Sequence, residues 1–229
     1  TSTAHWDLFA AGSGGIWNAG LSLGSANQVV AVNSSANALE FQNVSSDMVK
    51  LASGTFSTSA STLDIQQCFS GTYEIYKLYM YYYIGTSDGN NYPELGFLDA
   101  SNNHISDTYY ALGDGTYNTS GSGNARWTNN VNQDNFEQND SNGYRLINTW
   151  QTSKSDEMSM CDITLIRPDR AAKCMMMCDY GSTQHNYVAQ GRCYGMHDTS
   201  TVRKGIRINS AGGTNWGTDS KYYLYGMKP

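Results

Sequence analysis

The chain has 229 residues with a formal net charge of −6, and 15% of them are charged, against ~25% in an average globular domain. Its aromatic content of 12%, with 17 Tyr, is too high for a disordered chain. No cluster of Lys and Arg provides a nucleic-acid footprint, and no apolar run approaches the ~18 residues of a membrane helix.

The first nine residues, Thr1 to Phe9, carry neither the basic nor the apolar region of a signal peptide. They read as an aromatic peptide (HWDLF), followed by a glycine linker (AAGSGG). With no preceding strand and no following Lys, GSGG is a flexible spacer rather than a phosphate loop. Trp6, Phe9 and Trp17 flank this linker and are the side chains expected to reach a separate docking site. Gln28 to Val32 and Ala38 to Phe41 then read as two short strands joined by the turn NSSAN. Alternation places Val30 with Val32, and Leu39 with Phe41.

Such a hairpin is marginal alone. Four apolar side chains at ~1.5–3 kcal/mol each do not offset the ordering of a ~14-residue hairpin at ~1–2 kcal/mol per residue. Its apolar face is therefore expected to pack on the following domain or on copies of itself. Residues 1–46 form one expected unit and 47–229 a second.

In the second unit, the one stretch that reads as a short helix is Asp47 to Ala52. Thr62 to Ile65 begins a strand, and Tyr73 to Ile84 is the longest one. Tyr76, Leu78, Met80, Tyr82 and Ile84 share one face of it; Ile75, Lys77, Tyr79, Tyr81 and Tyr83 share the other. Aromatics on both faces predict that the second is covered by a loop or a partner. In PELGFLD, Leu95 and Phe97 fall together. From Gly113 to Asn142 the sequence is almost all Gly, Asn, Ser, Thr and Asp, with Tyr117, Trp127 and Phe136 embedded. That composition reads as a long loop of the kind that carries binding. Strands resume with YRLINTW, MSMCDITLI, KCMMMCDY, NYVAQGRCYGM, KGIRIN and KYYLYGM. Cys161, Ile163 and Leu165 share the buried face of theirs. Many short strands with turn signals between them predict an all-β fold, an antiparallel β-sandwich of jelly-roll type. Tyr76, Leu78, Met80, Cys161, Ile163 and Leu165 are its expected core.

Candidate chemistry is sparse. Cys68, Cys161, Cys174, Cys178 and Cys193 are an odd number of thiols. Cys174 and Cys178 lie on one face of a strand, about 13 Å apart at ~3.3 Å per residue, beyond the ~7 Å Cα limit of a disulfide. The five read as small buried hydrophobes of a chain made in a reducing cytosol. His5, His104, His185 and His197 sit in no nucleophile motif and read as surface or turn residues. His197 and Asp198 are neighbours that a strand would point apart. Asp99, Asp114 and Glu157 are scattered acids, and the Asp-Gly turns lack a calcium-loop pattern. No catalytic residue, cofactor or metal ligand is assigned. Tyr110, Tyr117, Trp127 and Trp216 lie in polar segments, where aromatic planes with nearby amides suit the C–H faces and hydroxyls of a glycan.

Two stretches carry a resemblance. GSANQVVAVNSSANALEFQ, with Gly24, Gln28, Val29, Val30, Val32, Asn33, Ala38, Leu39, Glu40 and Phe41 at the matching positions, resembles a short repeat of bacteriophage tail-fibre and related appendage proteins. Asn37 stands where that repeat has glycine. From about Thr55 onward, GTYEIYKLYM, LGFLDASNN, EMSMCDITLIRPDR and KGIRINSAGGTNWGTDSKYYLYGMK resemble a virion-surface β domain of phages of marine bacteria. Met175 to Met177 and the five Cys depart from an exposed appendage and point to a buried segment.

The resemblance implies a non-enzymatic structural protein, a short fibre, head fibre or capsid-decoration subunit. It implies a homotrimer made in the host cytoplasm and displayed on the virion surface. Its expected partners are its own copies, capsid or tail proteins, and a host-surface glycan, with no nucleic acid and no membrane insertion. Val30, Val32, Leu39 and Phe41 are the expected assembly face. The rival expectation is a free carbohydrate-binding module or a glycan depolymerase.

Overall fold

A computed structural model describes residues 25–26, 28–43, 46–83, 92–106, 109–119, 123–128, 143–146, 157–184 and 187–228. The chain divides into two compact units, Thr1–Ser46 and Asp47–Pro229.

The first unit holds an antiparallel hairpin of β1 (Gln28–Val32) and β2 (Leu39–Asn43). Its turn is closed by Asn33 N donating to Ala38 O at 2.9 Å and by Ala36 N donating to Asn33 O at 2.9 Å. The Asn33 and Asn37 amides brace it, with Nδ2 of Asn33 donating to Oδ1 of Asn37 at 2.8 Å. The left-handed residue is Ala36, at φ 55°, so the strained position lies one residue before Asn37.

The second unit is an all-β sandwich. Its strands are β3 (Met48–Thr55), β4 (Thr62–Ile65), β5 (Ile75–Tyr83), β6 (Pro93–Leu98), β7 (Tyr109–Thr119), β8 (Gly123–Thr128), β9 (Tyr144–Arg145), β10 (Met158–Ile166), β11 (Cys174–Gln184), β12 (Tyr187–His197), β13 (Gly205–Ser210) and β14 (Lys221–Met227). An eight-stranded sheet runs β3-β14-β5-β10-β11-β12-β7-β8, and a four-stranded sheet runs β4-β13-β6-β9. The pairings are antiparallel throughout. The closing strand β14 lies between β3 and β5, which ties the first and last strands of this unit into one ladder.

Two features differ from the sequence reading. Asp47 to Ala52 is not helical: Met48 onward forms β3, paired with β14. Met, Lys, Leu and Ala favour helix locally, but pairing along β14 outweighs that preference. The polar segment after Gly113 is not one long loop, because β7 runs to Thr119 and β8 pairs with it from Gly123. The unbranched polar residues there are poor strand formers by propensity; the ladder to β12 supplies the order.

The core lies between the two sheets. Tyr76, Leu78, Ile163 and Leu165 are inaccessible to solvent, and Met80 and Cys161 are 2% exposed. Against them the smaller sheet presents Ile65, Leu95, Phe97, Ile206 and Ile208. Rings fill much of the space: Phe69 meets Tyr76 edge-on at 4.8 Å, and Phe97 stacks on Tyr109 at 6.2 Å. The sheets also meet where Tyr144 of β9 presses its ring on Gly195 of β12, in the place a side chain would fill. The five thiols are free, and four of them are buried. Burial pushes the Cys174 thiol up to about 12, as a charged sulfur there would be stripped of water.

Candidate functional site

In the hairpin, register sets Val30 opposite Phe41 and Val32 opposite Leu39. Directly opposed residues point to the same face, so two valines, a leucine and a phenylalanine form one apolar patch. Val32 is 57% exposed and Val30 39%; Leu39 and Phe41 are half-buried. Val29, on the other face beside Gln42, is 48% exposed. The hairpin ends are held by polar bonds: Nε2 of Gln28 donates to Oδ1 of Asn43 at 3.1 Å, and Ser25 N donates to Oε1 of Gln28 at 2.7 Å. The apolar face thus has a defined geometry and an incomplete cover. Trp6, Phe9 and Trp17 lie outside the described residues.

The four aromatics read as glycan contacts do not share one setting. Trp216 is 1% exposed, with Phe56 at 4.7 Å and Tyr82 at 5.7 Å between ring centroids. It is a core residue and cannot meet a sugar. Its polar neighbours in sequence concealed this, because the apolar rings around it come from distant parts of the chain. Tyr110 is half-buried on β7; Tyr117 lies on β7 and Trp127 on the edge strand β8, where their side chains are outside the described residues.

His197 is likewise a correction, being fully buried rather than at the surface. Its ring stacks on Tyr109 at 4.3 Å, and its Nδ1 accepts a hydrogen bond from Nε of the buried Arg203 at 2.7 Å. The other four guanidinium donors reach backbone carbonyls: Nη1 to Arg170 and Ala172, Nη2 to His197 and Thr199, at 2.9–3.1 Å. Every N–H of this cation is therefore used in joining two loops to the end of β12, which leaves none for a substrate. Sequence reasoning missed Arg203, since nothing local distinguishes it from an exposed Arg. His104 is part-buried beside Tyr109, while His5 and His185 lie outside the described residues.

Two of the acids are occupied as well. Asp198 pairs with Lys173 at 3.0 Å. Asp99 accepts backbone hydrogen bonds from Ser101 and Asn103, each at 2.8 Å; these bonds, that of Asn103 foremost, hold its carboxyl below the usual range. They close a turn. Glu157 is buried next to β10, and the side chain of Asp114 is outside the described residues. Among the described residues, no three His, Cys, Asp or Glu side chains come together as a metal site.

Comparison of the chain with protein-family models, curated sequences and solved structures returns no match.

Proposed function

We propose that this protein is a non-enzymatic structural subunit of a bacteriophage particle, a short fibre or decoration protein displayed on the virion surface. In this reading the N-terminal part assembles or anchors the chain, and the β-sandwich faces the host. The observation that carries it is the hairpin face of Val30, Val32, Leu39 and Phe41, brought together by register and left partly open to water. A two-stranded hairpin with so small an apolar face needs outside support. Threefold packing removes that face from water in every copy, and docking on a capsid or tail protein does the same. The resemblance of residues 24–41 to an appendage repeat supports this use. Contact with a host glycan falls to Tyr117 and Trp127, on β7 and β8 at one side of the larger sheet.

Antibody labelling of intact particles tests the location, with label expected at discrete sites on the virion. Light scattering on the full chain tests the assembly: the expected mass is that of at least three chains, reduced by Val32→Asp. Particles free of label would overturn the reading, and a chain that is monomeric at micromolar concentration would overturn threefold packing.

A further inference from the structure

The outer face of the eight-stranded sheet carries an apolar row. Register places Met227, Ile75, Ile166, Met175, Met196 and Tyr110 side by side across β14, β5, β10, β11, β12 and β7. At ~4.8 Å between strands the row is about 24 Å long. Met177, Tyr194 and Leu112 form a second row beside it on β11, β12 and β7. Met175 is 58% exposed, Ile166 48%, Tyr194 44% and Leu112 38%. Seven of the nine methionines stand on this face, and only Met80 and Met176 point into the core. Elsewhere the chain draws its polarity from hydroxyls and amides. Seven unbranched thioethers on one sheet face, adaptable in shape, are out of keeping with a surface that meets only water.

Charge beside the two rows is matched, while Lys50 on β3 and Lys221 on β14 stand on the same face with no ion pair among the described residues. Lys77 pairs with Asp162 at 2.5 Å and donates to Oγ1 of Thr164 at 3.0 Å. Arg192 pairs with Asp179 at 2.5 Å. Two further pairs, Arg167 with Glu74 and Lys173 with Asp198, stand in the turns at the end of the row. An apolar centre with a polar rim is the pattern of a protein interface. A surface for anionic lipid or nucleic acid would carry a cluster of about four or more unmatched cations, where this face has two, at its β3–β14 side.

Area supports the same occupant. Four half-exposed and five partly exposed side chains, of roughly 150–200 Å² each, leave about 500–600 Å² per copy. Two copies would together remove about 1,100 Å², above the ~1,000 Å² that a specific interface needs.

We propose that this face is a self-association surface, on which a second copy of the chain packs its own Ile166–Met175 row, sheet against sheet. The surface uses none of the hairpin's residues, and the experiment keeps the two apart. Sedimentation velocity would be run on the full chain carrying Val32→Asp, between roughly 1 and 100 µM. The expected result is a concentration-dependent dimer whose dissociation constant rises at least tenfold when Ile166→Glu and Met175→Glu are added. Both side chains face solvent, so the melting temperature should not move. A Val32→Asp chain that stays monomeric throughout overturns the sheet interface, as do glutamate variants of unchanged mass. A monomer that floats with phosphatidylcholine vesicles, and ceases to with Met175→Glu, overturns it by assigning the face to lipid. A Val32→Asp chain that keeps the wild-type mass until the glutamates are added supports this surface and overturns the hairpin as the assembly site.

Discussion

Arg203 donates its Nε–H to Nδ1 of His197 across 2.7 Å, with both side chains fully buried. The bond requires an unprotonated Nδ1, so the neutral ring carries its proton on Nε2. Arg203→Lys keeps the charge but offers three donors where five acceptors wait, and leaves carbonyls of the joined loops unpaired. The expected loss is about 3 kcal/mol, read as a drop in the urea midpoint at unchanged slope. A variant within ~0.5 kcal/mol of wild type would mean that the loops are held by something else.

Gly195 and Gly181 make a matched pair across the two faces of the larger sheet. A Cβ at Gly195 would collide with the Tyr144 ring, whereas at Gly181 it would sit 3.5 Å from Cγ of Met160, an ordinary contact. Gly195→Ala should therefore cost ~1–3 kcal/mol by overpacking. Gly181→Ala should be neutral or mildly stabilising, as the unfolded chain loses freedom. Thermal melts of the two variants give the comparison, and equal shifts would refute the packing argument.

Trp216 fills the space between Phe56 and Tyr82. Trp216→Ala should cost ~3–5 kcal/mol, and Trp216→Phe distinctly less. Denaturation curves measure both. If a glycan ligand is found, Trp216→Phe should leave its affinity unchanged, because the indole is enclosed.

Stability should fall at alkaline pH in part through Cys174. Its thiol ionises near the ordinary 9.0 in the unfolded chain and is pushed up to about 12 in the fold by burial. Below pH 9 both states are protonated, and this contribution is intact. Between those values only the unfolded chain ionises, which withdraws about 1.4 kcal/mol per pH unit; above pH 12 the contribution is gone. Cys174→Ala should lower stability at neutral pH yet flatten the decline above pH 9, as read from urea midpoints at several pH values. An unchanged slope would show that the thiol does not titrate in this window.

Much of the architecture was legible locally. Period-two alternation marked Cys161, Ile163 and Leu165 as one face of β10, and turn chemistry marked the hairpin. Its pairing of Val30 with Phe41 and Val32 with Leu39 follows from the short turn between the strands. These are properties of a few adjacent residues, which a strand expresses wherever it lies. Partner choice is different. That β14 lies between β3 and β5, or that β4 pairs with β13, depends on contacts between strands more than a hundred residues apart in sequence, which no local pattern encodes. The same limit concealed the burial of Trp216, His197 and Arg203, whose neighbours in space are remote in sequence. It also left the two faces of β11 unsorted: Met175 to Met177 read together as a buried segment, yet Met175 is 58% exposed. Only the packing of the four-stranded sheet decided which face became core, and so which methionines were left facing outward.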